Sequence, residues 1–273
     1  MQGDSILQAY QSKLCERGFS FNIATLKQYG DHFKIAQLKA IRNRGVEIPY
    51  TEKNSVNAEK LENNIVRARS MIREYGFCNS WDYFVTLTLR PDDHDRYDLK
   101  AFNKVLSQWL RDLRKRSGAE LKFILVPEQH KNGAWHMHGL LCGIPEGQLV
   151  PFQPDQKLPA YIQNKLRRGQ PIYNWPAYAA KFGFVTVEPL RDKDKAVNYI
   201  TKYITKELAR TVSTLGAHLY YASHGLQKAT ELKRGRLQAP IPIDYQNEHC
   251  AVSWFDADCI DADTLRGFFV PDK

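Results

Sequence analysis

Leu121-Lys-Phe-Ile-Leu-Val-Pro-Glu128, then Lys131-Asn132-Gly133, then Ala134-Trp-His-Met-His-Gly-Leu-Leu-Cys142 is the stretch on which the fold turns. The first run is rich in residues that suit a pleated, half-buried surface, and Lys-Asn-Gly between two such runs is a hairpin signal. A period of two puts His136 and His138 on one face of the second strand, with Met137 pointing away. Two registers are open. If Asn132-Gly133 form a two-residue turn, Gln129 faces His136 and Glu128 faces Met137. If Lys131-Asn132-Gly133 form a three-residue loop with Gly133 left-handed in a bulge, Glu128 sits opposite His136. The second register is favoured, because it gathers a carboxylate and two imidazoles with positions left for water and phosphate oxygens. Such mixed oxygen and nitrogen donors suit Mg²⁺ or Mn²⁺. Pro127 cannot donate to a ladder and marks an edge or an irregularity.

Upstream, Asp82-Tyr-Phe-Val-Thr-Leu-Thr-Leu-Arg90 alternates strictly. Phe84, Thr86 and Thr88 share one face of that strand, and Val85, Leu87 and Leu89 the other, so the threonine face is available to line a site. Downstream, Asp194-Lys-Ala-Val-Asn-Tyr-Ile-Thr-Lys-Tyr-Ile-Thr-Lys-Glu207 reads as one amphipathic helix. At ~100° per residue it gathers Tyr199, Lys202, Tyr203 and Lys206 on one side and Val197, Ile200, Ile204 and Leu208 on the other. Two phenols and two ammonium groups on one surface suit a phosphate.

In this order the Thr-Leu-Thr strand, the Glu128…His136-Met-His138 hairpin and the Tyr-x-x-Lys-Tyr-x-x-Lys helix resemble the three motifs of the HUH endonucleases. The likeness is to the two-tyrosine branch, which contains rolling-circle replication initiators of single-stranded DNA phages and related plasmids. It covers about residues 80 to 210. It implies a metal-dependent nuclease that nicks one strand at an origin and stays joined to the 5′ phosphate through tyrosine. His136 and His138 match the metal-ligand pair, Glu128 the acidic third ligand, and Tyr199 and Tyr203 the two nucleophiles. Lys202 and Lys206 would orient the phosphate or lower the pKa of a neighbouring phenol. The resemblance implies Mg²⁺ or Mn²⁺ as cofactor, and single-stranded DNA or an origin hairpin as partner. An HUH transposase or mobilisation relaxase would use the same chemistry. A basic, non-catalytic DNA-binding protein is the reading from a different class. No Gly-x-x-x-x-Gly-Lys-Ser/Thr run occurs, so unwinding is expected to fall to a host helicase and host replication proteins.

The 273 residues carry a formal charge of +9, and the excess is uneven. From Ile243 onward seven acids face only Arg266 and Lys273; the basic excess lies before them, as in a backbone-binding surface followed by an acidic tail. Arg111–Arg116, Lys165–Arg168 and Lys228–Arg236 are candidate phosphate contacts, and Tyr161, Tyr173, Trp175 and Tyr178 are aromatics of the kind that stack on unpaired bases. Five cysteines without a Cys-x-x-Cys pair argue for reduced thiols. No apolar run approaches the ~20 residues of a membrane span, and Met-Gln-Gly-Asp is no signal peptide. A cytoplasmic protein is expected, in the host cytoplasm if phage-encoded.

The expected organisation is an α+β protein in three parts. Residues 1–78 read as a helical N-terminal cap, with an apolar stripe through Leu61, Ile65, Ala68 and Ile72. Residues 79–242 read as the nuclease domain, built on a central antiparallel sheet, and 243–273 as the acidic tail. The resemblance adds a split ferredoxin-like core with the metal ligands on its central strand. Within the domain the expected order is strand 82–90, helix 99–116, strands 121–129 and 135–142, irregular chain over 145–180, strand 182–189 and helix 194–210. Leu219–Ala222 is a further candidate strand.

Overall fold

The computed structural model describes residues 23–38, 58–246 and 250–271. They form an α+β structure with two antiparallel sheets. The chain divides into two compact units, one of residues 51–227 and one combining 1–50 with 228–273.

The larger unit carries the candidate site. Its elements run α1 (Ala58–Cys78), β3 (Tyr83–Thr88), α2 (Leu99–Ser117), β4 (Lys122–Gln129), β5 (Trp135–Cys142), β6 (Val150–Pro151), α3 (Ala160–Arg167), β7 (Tyr173–Asn174), α4 (Pro176–Lys181), β8 (Val185–Pro189), α5 (Lys193–Ile200), a 3₁₀ turn (Thr201–Tyr203), α6 (Lys206–Leu215) and β9 (Tyr221–Ala222). The sheet order is β6-β7-β8-β3-β5-β4-β9, so β3 and β5 lie side by side near its middle. Alternation in β3 is as the sequence dictates: Val85, Leu87 and Leu89 are buried, while Phe84, Thr86 and Thr88 stay partly accessible on the opposite face. The β4–β5 hairpin takes the bulged register, pairing Glu128 with His136 and Val126 with His138. Its loop is Lys131-Asn132-Gly133, with Gly133 at φ 86° and the His130 amide closing on Ala134.

Helix α1 buries the expected stripe of Leu61, Ile65, Ala68 and Ile72. Gly76 lets it approach α5 closely: a Cβ there would meet the Val197 side chain at 2.5 Å. Helix α2 starts at Asp98, whose carboxylate accepts from the Ala101 amide, and stops at left-handed Gly118. The segment 145–180, expected to be irregular, supplies α3, α4 and two short strands. Trp175 and Tyr178 are fully buried there and pack against Trp109 from α2, so they belong to the core and not to a base-binding surface.

Three expectations are corrected. Residues 23–38, part of the expected helical cap, are a β-hairpin, β1 (Ile23–Tyr29) and β2 (His32–Leu38). Tyr29 pairs with His32 across a two-residue Gly30-Asp31 turn, with Gly30 at φ 60°. The rest of the cap, other than α1, lies outside the described residues. The acidic C-terminal stretch, read as a loose tail, contains β11 (Tyr245–Gln246), β12 (Cys250–Asp256) and α7 (Ala262–Arg266). With β10 (Thr230–Arg236) these strands form a five-stranded sheet, β10-β1-β2-β12-β11, around Leu26, Phe33, Ile35, Leu265 and Phe269. Its apolar side chains outweigh its surface acids in deciding whether the stretch folds. Finally, the single helix expected over 194–210 is two helices, α5 and α6, joined by the 3₁₀ turn. Cys78, Cys142, Cys250 and Cys259 are free thiols, while Cys15 lies outside the described residues. No helix among the described residues is long and apolar enough to cross a membrane.

Candidate functional site

His136 and His138 project from β5 toward two threonines that pairing sets directly opposite. Thr86 faces His138 and Thr88 faces His136. Each threonine Oγ1 lies 3.1 Å from the Nδ1 of its histidine. On the other side of β5, the Glu128 carboxylate from β4 lies 2.7 Å from His138 Nε2. A carboxylate only accepts, so His138 Nε2 carries a proton and donates it to Glu128, while a threonine hydroxyl can either donate to Nδ1 or accept from it. The orientation of His138 is therefore fixed at both ring nitrogens.

A fourth group stands with these three. His130 stacks on His136 with ring centroids 3.7 Å apart and planes 6° from parallel, and its Nε2 is 3.6 Å from Glu128 Oε2. It is absent from the residues that the sequence singles out. Two residues beyond Glu128 it keeps the same strand face by the period of two, which is the signal that could have found it.

The electrostatics follow from this crowding. Burial, then the neighbouring His130 and His138, push the His136 pKa down to about 4. The hydrogen bond from His138 holds Glu128 below the usual carboxylate range. The cluster thus favours a neutral His136 beside an ionised Glu128.

The two tyrosines reach the cluster from the segment after β8. Helix α5 begins at Asp192, whose side chain accepts from the Lys195 amide, and buries Val197 and Ile200. Tyr199 lies on its accessible face, with its ring edge-on to Phe84 and centroids 5.6 Å apart. Tyr203, in the 3₁₀ turn, lies flat on His138, ring centroids 4.5 Å apart and planes 3° from parallel. Its hydroxyl donates to the Tyr199 hydroxyl at 3.0 Å. Burial and that hydrogen bond raise the Tyr203 pKa well above the ordinary phenol value, so it keeps its proton.

The lysines part company. Lys202 places Nζ 5.4 Å from the Tyr199 ring centroid, a cation–π contact beside one phenol. Lys206 begins α6 and pairs with Glu62 of α1 at 3.3 Å, away from both tyrosines. The break has a local cause. Ile204 leaves the helical region at ψ 81°, and Thr205 adopts an extended conformation whose hydroxyl accepts from the Leu208 amide as the cap of α6. Ile200, Thr201, Ile204 and Thr205 are all β-branched, which weakens a continuous helix. Arg69 of α1 secures the joint, donating to the Ile204 carbonyl at 2.7 Å.

Phe84, Thr86, His136, His138, Tyr199 and Tyr203 all line one cleft of about 730 Å³. Residues 82–208 match the replication-associated protein family of the ORF2 type. The family match thus runs from the threonine strand through both tyrosines and takes in all seven candidate residues, Glu128, His136, His138, Tyr199, Lys202, Tyr203 and Lys206. It agrees with the likeness to rolling-circle initiators that the motifs carry. No curated protein and no solved structure matches the chain. Among the described residues no three His, Cys, Asp or Glu side chains stand as a formed metal site; Glu128 and His138 bond each other directly.

Proposed function

We propose that the protein is a rolling-circle replication initiator, nicking and rejoining single-stranded DNA through a covalent 5′-phosphotyrosine. The observation that supports this reading is the meeting of two phenolic hydroxyls, 3.0 Å apart, with a cluster of one carboxylate and three imidazoles on which one of the phenols is stacked. In the first cut a phenol oxygen bonds to phosphorus, the bond to the 3′ oxygen breaks, and the 3′ hydroxyl leaves with a proton while the phenol loses its own. A phosphotyrosine keeps the energy of the broken linkage, so the reverse attack by a 3′ hydroxyl rejoins the ends. The second phenol lies close enough to reach the same phosphate, which lets one molecule begin and close a circle.

The donor set fits Mg²⁺ or Mn²⁺ in kind. Glu128, His136 and His138 offer oxygen and nitrogen donors, and the threonine contacts at both Nδ1 atoms leave the Nε2 atoms as the ligating nitrogens. Ligation requires a bare Nε2, so the imidazole proton would then sit on Nδ1 and be donated to the threonine oxygen, which can accept it. A divalent ion held there would neutralise charge on the phosphate oxygens. The protein's own contribution is placement. Thr86 and Thr88 hold the imidazoles, His138 supports the Tyr203 ring, and the Tyr203 hydroxyl, donating to the Tyr199 oxygen, favours negative charge on Tyr199. Lys202 adds a cation on that side.

The test uses a single-stranded oligonucleotide carrying a candidate origin, incubated with Mg²⁺ or Mn²⁺ and run on a denaturing protein gel. A shifted, nuclease-sensitive band that survives Tyr199→Phe or Tyr203→Phe singly and disappears when both are changed is the expected result. No covalent band from any origin-spanning oligonucleotide would leave a basic DNA-binding protein without nuclease activity.

A further inference from the structure

The candidate cleft does not end at the tyrosines. It continues across the sheet to α3, where Tyr161 and Lys165, one helical turn apart, face the strand β8. Lys165 Nζ bonds Glu188 Oε2 at 2.6 Å, and the Tyr161 hydroxyl reaches Thr186. Thr186 and Glu188 stand directly opposite Thr86 and Phe84 of β3, so the same sheet face floors both halves of the groove. One wall is α3 and the other is the start of α5.

Two features of this half are costly unless something covers them. Tyr161 is 50% exposed and Phe184 40% exposed, both within the groove, although Trp175, Tyr178 and Phe182 nearby are packed away completely. Large aromatic surface left in water beside a buried aromatic cluster marks a contact surface better than it marks a core. The charge pattern names the contact. The two acids lining the groove, Glu188 and Asp192, are each ion-paired, with Lys165 and Lys195, and Arg191 adds a further cation on the rim. Aromatic faces set among cations suit unpaired nucleotides, whose bases stack while their phosphates meet positive charge.

We propose that the groove between α3 and α5 holds the unpaired bases adjoining the linkage to be cut, with Tyr161 and Phe184 as stacking surfaces and the Lys165–Glu188 pair reading one base edge. The inference rests on the nuclease reading of the neighbouring tyrosines and assigns the part of the strand that is recognised. A donor and an acceptor held side by side discriminate between bases, whereas the aromatic faces accept any base. A duplex offers no free base faces, so the occupant is single-stranded.

The experiment uses the full chain and single-stranded oligonucleotides with 2-aminopurine placed at successive positions around the nick site. Stacking quenches that fluorophore. Quenching at positions beside the nick is expected, with Tyr161→Ala and Phe184→Ala each relieving it and weakening binding about tenfold. Tyr161→Phe should retain both, since it keeps the ring. Glu188→Gln should change which base is preferred at one position while leaving overall affinity close to wild type. Wild-type quenching and affinity in both alanine variants would overturn the inference while nicking, still present, left the nuclease reading standing. Absence of covalent product with quenching intact would do the opposite.

Discussion

The Tyr203 phenol and the His138 imidazole lie face to face, 4.5 Å between centroids and 3° from parallel, so the ring nearest the histidine cluster is held by a second ring and not by a charged partner. His138 is itself held at Nδ1 by Thr86 and at Nε2 by Glu128. The position of Tyr203 therefore depends on groups that act on it only through the imidazole.

Thr86→Val tests that dependence. Valine keeps the shape and removes the hydroxyl that fixes the ring, so Mn²⁺ affinity measured by calorimetry should fall by about 10- to 100-fold. Stability should change little, by about 1 kcal/mol for one lost hydrogen bond. Unaltered Mn²⁺ affinity would mean that the threonine contributes only to the sheet.

Acid should destabilise the metal-free protein in a defined window. His136 is neutral in the folded chain down to about pH 4, whereas an unfolded histidine takes up its proton near the ordinary value of 6.5. The unfolded state therefore binds more protons between those values, and stability falls as pH drops through them. Glu128, with its pKa depressed in the folded state, contributes stability above the ordinary carboxylate pKa that is lost as pH falls further. Melting temperatures measured from pH 7 to pH 4 should decline for the wild type and decline less for His136→Asn. Equal slopes would contradict the assigned burial of His136.

Arg69→Ala should damage the tyrosine segment from a distance. It removes the donor to the Ile204 carbonyl at the joint between the 3₁₀ turn and α6. Leaving that group unsatisfied costs about 1–3 kcal/mol, visible in urea unfolding, and nicking should fall more than binding of the oligonucleotide. Arg69→Lys should recover part of both.

Lys206→Ala should be nearly silent. Both it and its partner Glu62 are exposed, and such pairs contribute about 0–1 kcal/mol. Nicking rates should stay within about twofold of wild type if the lysine acts only in this surface pair, whereas Lys202→Ala should slow cleavage through its contact with Tyr199. A deficit in Lys206→Ala as large as in Lys202→Ala would restore the role that the repeat suggested.

The hairpin is legible in the sequence because its information is local. Asn132-Gly133 specifies a turn, the period of two fixes which residues share a face, and the bulged register sets Glu128 against His136. The tyrosine segment is half legible. The face shared by Tyr199 and Tyr203 survives the change from α to 3₁₀ geometry, but one helical wheel run through Lys206 ignores a cap. Thr205-Lys-Glu carries that signal, a capping side chain followed by an acid in the first turn. His130 escapes notice because it lies beside the loop, although strand periodicity already places it. The hairpin at 23–38 reads as helix only if Gly30-Asp31 is ignored; that pair sits between two alternating runs, where turn chemistry outweighs a weak helical pattern. The groove beside α3 is hidden for a different reason. Which of Tyr161, Trp175 and Tyr178 stays in water is decided by tertiary packing against Trp109, not by anything in their own neighbourhood of the chain.

Tyr-Ile-Thr-Lys occurs twice in succession, and the two copies fold differently. In the first, the Thr201 hydroxyl is buried and turned back on the Asn198 carbonyl; in the second, Thr205 opens a new helix. A tandem repeat has thus yielded a left and a right hand that are not mirror images: one phenol faces water, and the other lies pressed on a ring. Exchanging the two tetrapeptides would leave the sequence untouched, yet exchanging their tasks would require the bound strand to shift its footing between unlike hosts.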